Sequence, residues 1–234
     1  MKIRIIPTAW LILLFTIFTC NTFAQKVENT GWLAWNHSDK FSDKFGLHLD
    51  VQFRSADDYQ FMRNIMVRPG LHYYLTQNQT LTVGYLYVNT QSRTESEVNH
   101  FIESRIWEQY MVNHKVGKLP ITHRLRLEQR FINNGPPVFS QRFRYFVRGL
   151  IPIKADSTFN KGIFVALQNE VFLNLQNKAK INDNLFDQNR AYVAAGYRFS
   201  KKIDLETGYL LQYSKGKLQD TRNHVWQLAL YTRF

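Results

Sequence analysis

The chain is nearly free of cysteine: among 234 residues only Cys20 occurs, within the first 24. A chain that begins after Ala24 therefore has no thiol, which excludes disulfides, a metal-thiolate centre and a cysteine nucleophile. Long apolar runs are equally scarce. One extends from Ile5 to Phe18, and no second run is long enough for a membrane helix, which excludes a helical-bundle membrane protein. Catalytic signatures are missing too. The 7 histidines are scattered, with no His-Glu-x-x-His, no Gly-x-Ser-x-Gly and no phosphate-cradling glycine loop, so no enzyme is expected. Asp183, Asp187 and Asn189 lack the glycine turn and distal acid of a calcium loop, so no metal or cofactor is expected either. Acidic residues are few, 18 against 30 lysines and arginines, and the net charge is +12. Such an excess ordinarily points to nucleic acid, which an exported chain rarely meets, so the charge needs another account.

The N-terminus supplies the case for export. Lys2 and Arg4 precede the apolar run, and Thr22-Phe23-Ala24 before Gln25 forms a small-residue exit. This predicts a secretory signal over 1–24 and a single mature domain over 25–234. A retained membrane helix is disfavoured by the shortness of the run, and a lipoprotein acceptor at Cys20 by bulky Phe18 and Thr19 before it. The mean hydropathy of -0.35 looks soluble. It is also what a transmembrane barrel shows, because each strand puts alternate residues in lipid and the others in a polar lumen. An aromatic content of 15% suits the girdles of such a barrel.

Alternation with a period of two is the main signal in the rest of the chain. Phe45, Leu47, Leu49, Val51 and Phe53 oppose Gly46, His48, Asp50, Gln52 and Arg54. Ile121, Leu125, Leu127 and Phe131 oppose Thr122, Arg124, Arg126, Glu128 and Arg130, and Phe143, Tyr145, Val147 and Ile151 oppose Arg142, Arg144 and Arg148, with Phe146 among the arginines. A final segment puts Trp226, Leu228, Leu230 and Phe234 on one face. The expected fold is all-β: an antiparallel transmembrane β-barrel of about 12 strands, or 10, because about eleven segments are counted and single-chain bacterial barrels are nearly always even. A secreted β-sandwich is the soluble alternative. Short polar turns (76–80, 115–120, 200–202) alternate with longer links (90–100, 133–140, 176–188, 214–223). With the terminal aromatic Phe234 as the membrane-insertion terminus at the periplasmic end, the longer links fall outside the cell. The expected location is the cell outer membrane, with lipid and, through the C-terminal strand, the barrel-assembly machinery as partners, and no nucleic acid.

If the apolar faces meet lipid, Arg105, Arg124, Arg126, Arg130, Arg142, Arg144, Arg148 and Arg190 line the lumen, with Arg54 and Arg68 beside them. Glu103, Glu128 and Glu170 are the expected ion-pair partners, with Asp50, Asp204 and Glu206 also inward. Arginine keeps its charge and forks to carboxylates and phosphates, so this lining predicts a small channel or binding barrel favouring anionic solutes. A closed structural barrel held by an internal salt-bridge network accounts for the same residues. A lipid-acting enzyme is a further alternative. It needs a serine beside an outer-face histidine, and His123 has none evident at matching depth.

The runs from Phe101 to Gln109, Arg124 to Phe131 and Arg142 to Tyr145, with Asn169 to Phe172 and Phe186 to Arg190, resemble domain-of-unknown-function family 2490, an uncharacterised outer-membrane family of Bacteroidota-type bacteria. The resemblance covers essentially all of 25–234. It implies an outer-membrane barrel and carries no activity or catalytic residue with it.

Overall fold

The computed structural model describes residues 25–56, 58–93, 97–117, 119–133 and 135–234, so the leader and Cys20 lie outside the described residues. Eleven strands account for most of them: β1 (Lys26–Asp39), β2 (Phe45–Ala56), β3 (Phe61–Tyr74), β4 (Gln79–Arg93), β5 (Val98–Val116), β6 (Leu119–Asn133), β7 (Val138–Ala155), β8 (Gly162–Gln176), β9 (Phe186–Ser200), β10 (Ile203–Ser214) and β11 (Thr221–Arg233). They close into one barrel in which each strand pairs with its sequence neighbours. The strand number among the described residues is thus eleven, between the ten and twelve expected.

An odd count leaves the first and last strands running the same way. The seam is accordingly parallel, with Lys26 opposite Thr221, Trp32 opposite Gln227 and Ser38 opposite Arg233. All other pairs are antiparallel. Closure removes the exposed strand edges that would otherwise recruit other chains. The chain end is tied in at the seam, where the Phe234 amide donates to the Ser38 carbonyl at 2.9 Å and the Lys40 amide to the Phe234 carbonyl at 2.8 Å.

The short turns gather on the rim that carries Phe234, and the longer links on the opposite rim with Lys26. The longer links are shorter than the sequence suggests. Pairing continues through residues such as Gln91 with His100 and Ile132 with Val138, because backbone hydrogen bonds carry on where the apolar alternation fades. The link after Gln176 remains the longest and holds a single 3-10 turn, Lys178–Lys180.

The apolar phase of each strand faces outward. Leu33, Val83, Leu167 and Trp226 are each about half exposed, at 53%, 51%, 47% and 57%. A belt of such residues is far larger than a soluble monomer shows. On β5, Glu108 interrupts it: its pairing neighbours Val83 and Leu127 are apolar, and it accepts from Gln129 Nε2 at 3.0 Å. No described helix is long and apolar enough to cross a membrane, which says nothing of the strands.

The interior is filled and partly apolar. Trp32, Phe164, Ala166, Tyr192, Ala194, Leu210 and Val225 form one cluster, and Met66, Leu86, Val88 and Trp107 another. Glycine makes room for two of the rings. A Cβ at Gly196 would stand 2.3 Å from Phe164, and one at Gly84 2.4 Å from Trp107.

Candidate functional site: a basic lumen

Every arginine expected in the lumen points inward, because each shares the inward phase of its strand. The β6–β7 hairpin stacks them as the alternation implies, with Arg126 opposite Arg144 and Glu128 opposite Arg142. Glu128, with no exposure, is the hub: Arg142 Nη2 lies 2.7 Å and Arg105 Nη1 3.4 Å from its Oε2, and Arg144 pairs with Oε1. Glu103 receives Arg105 Nε at 2.7 Å and Arg130 Nε at 2.6 Å. Glu170 receives Arg124 Nη2 and Arg144 Nη2, both at 2.7 Å. The three glutamates named from the sequence are thus joined into one network, since Arg105 bridges Glu103 to Glu128 and Arg144 bridges Glu128 to Glu170. Arg148 turns away from it to Glu206, at 2.5 Å, and Arg68 pairs with Asp50. Taking ions out of water costs several kcal/mol each, so so many buried pairs persist only because their geometry is multiply bonded.

Arg54, Arg126 and Arg190 have no carboxylate partner among the described residues. Arg54 donates to Gln52 Oε1, through Nε at 3.1 Å, and Arg190 Nε to Gln212 Oε1 at 3.1 Å. Arg126, almost fully buried, donates to Gln109 Oε1 through Nε at 3.1 Å and Nη2 at 2.6 Å, and its Nη1 has no partner. All three lie over aromatic rings. Arg126 is 4.4 Å from the Trp107 ring centre, while Arg54 and Arg190 share Trp32 at 3.7 and 5.1 Å. Ring faces attract a guanidinium but do not cancel its charge. Strand phase alone could have found these rings: Trp107 falls in step with Glu103, Arg105 and Gln109, as Phe146 does with Arg142, Arg144 and Arg148.

Between these groups lies a lumen cavity of about 130 Å³, walled by Arg54, Arg68, Arg124, Arg144, Arg148 and Arg190 against only Asp50 and Glu170, with Trp32, Phe146 and Tyr231. Larger hollows of about 690 and 450 Å³ are apolar grooves on the outer wall. The smaller, charged cavity is the candidate site, since arginine donors without an acceptor among the described residues converge on it.

At the Phe234 rim, the link between β7 and β8 folds Phe159 inward edge-on to Phe164, 5.8 Å between ring centres, with Arg198 4.1 Å above it. Arg198 also donates to the Phe159 carbonyl and pairs with Asp204 at 2.7 Å. Phe159 takes a positive φ of 52°, which Asp156 supports by accepting from the amides of Asn160 at 2.8 Å, Lys161 at 2.9 Å and Thr158 at 3.0 Å. The Asn160 amide above all, with the Thr158 hydroxyl and amide, holds the Asp156 carboxyl below the usual carboxylate range.

The residues weighed for other chemistry do not converge. Asp187 pairs with Arg142 at 2.7 Å, while Asn189 exchanges hydrogen bonds with Asn169. His123 stacks on His114 and meets the Tyr145 hydroxyl at 2.8 Å, His224 meets Tyr209, and His37 meets Thr232. Among the described residues no serine hydrogen-bonds a histidine of the outer wall.

Neither a curated protein nor a solved structure matches the chain. The sequence model of a protein family of unknown function, DUF2490, matches residues 29–223, which takes in the residues that line the cavity apart from Gln227 and Tyr231 of β11, and the chain belongs to that family.

Proposed function

We propose that this protein is an outer-membrane β-barrel that admits small anionic solutes to its lumen, as a binding barrel or narrow channel. The observation that carries this reading is the set of inward arginines without a carboxylate, Arg54, Arg126 and Arg190. Inward cations that no carboxylate of the wall neutralises favour an anion beside them. The apolar outer belt supports the membrane setting, and the aromatic Phe234 at the short-turn rim supports a periplasmic position for that rim. Purified protein in planar bilayers tests it. A chloride-over-sodium reversal potential that shrinks in the Arg54→Gln/Arg190→Gln variant is expected; no anion conductance together with no anion binding overturns it.

The Glu128 network favours a second reading, a closed barrel whose ion pairs serve only to hold its walls. That reading expects neither conductance nor binding, with Glu128→Gln weakening the fold alone.

A further inference from the structure

We propose that the lumen cavity beside Trp32 is a site for one small divalent oxyanion of phosphate or sulfate type. This rests on the anionic-solute reading above and narrows it to a ligand class. Five N–H donors fork from each guanidinium. Arg54 spends part of its fork on Gln52, and Arg190 only its Nε on Gln212, so both residues line the cavity with N–H groups that have no acceptor among the described residues. Both guanidinium groups sit over the same Trp32 ring, which holds two like charges close together in a fixed geometry. Across the cavity, the Nε atoms of Arg68 and Arg124 are buried without partners.

The acids in the wall do not meet this demand. Asp50 is engaged by Arg68 and by Gln52 Nε2 at 2.9 Å, and Glu170 by Arg124 and Arg144. Two cations therefore remain unbalanced, which selects a dianion. The volume of about 130 Å³ corresponds to roughly four water molecules at their liquid share of about 30 Å³ each. That accommodates a central atom with four oxygens. Charge-assisted bonds from guanidinium to such oxygens are the strong ones.

The test is calorimetric titration of the full chain in detergent with inorganic phosphate, sulfate and chloride at matched ionic strength, with tryptophan fluorescence followed in parallel. Saturable binding of one phosphate or sulfate per barrel is expected, with chloride far weaker. Arg54→Gln/Arg190→Gln should weaken phosphate by at least roughly ten-fold, the loss of one or more charge-assisted bonds. The unliganded variant should melt no lower than the parent, because the replaced charges have no carboxylate to orphan. Should the double variant fold poorly, Arg190→Gln alone carries the same expectation. Equal responses to phosphate and chloride, or undiminished phosphate binding by a folded variant, overturn the proposal. If chloride still passes selectively through the barrel in bilayers, the anionic-solute reading survives that result; if no anion either binds or passes, both fall.

Discussion

Glu128 is the residue on which the interior turns, because three guanidinium groups converge on one fully buried carboxylate. Glu128→Gln removes the carboxylate that Arg105, Arg142 and Arg144 share and leaves them only Glu103, Asp187 and Glu170. Breaking a buried pair from one side costs about 3–5 kcal/mol, and urea unfolding of the reconstituted barrel should register a loss of that order. Arg126→Met should cost less, since it strands the Gln109 amide and no carboxylate. Close packing supplies a second expectation. The Phe164 ring occupies the space a Cβ on Gly196 would need, and it cannot swing away because it is fully buried against Ala166 and Ala194. Overpacking of this kind costs about 1–3 kcal/mol, so Gly196→Ala should lower the unfolding midpoint. An unchanged midpoint would mean that the ring has somewhere else to go.

At the scale of the element, the link between β7 and β8 responds to pH. Its shape depends on backbone amides donating to an ionised Asp156. The carboxyl lies below its unfolded value, so its contribution is fully present above that unfolded value, about 3.9, and is lost as the pH falls through the folded one. Amide exchange at Thr158, Asn160 and Lys161 should therefore show constant protection down to about pH 4 and a loss below it, after correction for the intrinsic rate. Asp156→Ala should remove the protection at neutral pH. Protection that persists in the variant would assign the turn to the packing of Phe159 instead.

For the whole molecule, the parallel seam has a topological consequence. Lys26 and Phe234 lie at opposite rims, whereas an even-stranded barrel returns its termini to the same one. In a barrel that spans the outer membrane, a cysteine placed at Lys26 and one placed at Lys202, beside Phe234, should differ in their reaction with a membrane-impermeant maleimide on intact cells. The Lys26 position should label and the Lys202 position should not. Equal labelling at both sites would contradict either the seam or the membrane orientation.

The strands, their inward and outward faces and the arginines of the lumen were legible in the sequence, because a period of two maps each side chain to a face without knowledge of its neighbours. The same phase puts Phe146 among the arginines, and Trp107 could have been placed inside with Arg105 in the same way. Glu108 likewise faces outward because strand phase, and not polarity, sets direction. Three things depended on tertiary structure. The parallel seam follows from the number of strands that close, which no single strand encodes. The long links contracted because hydrogen bonding extends beyond the apolar pattern. Finally, the division of arginines into paired and unpaired was decided by distances across the lumen: Arg126, flanked in sequence by Arg124 and Glu128, meets Gln109 and Trp107, while Arg124 takes Glu170 and Arg142 takes Glu128.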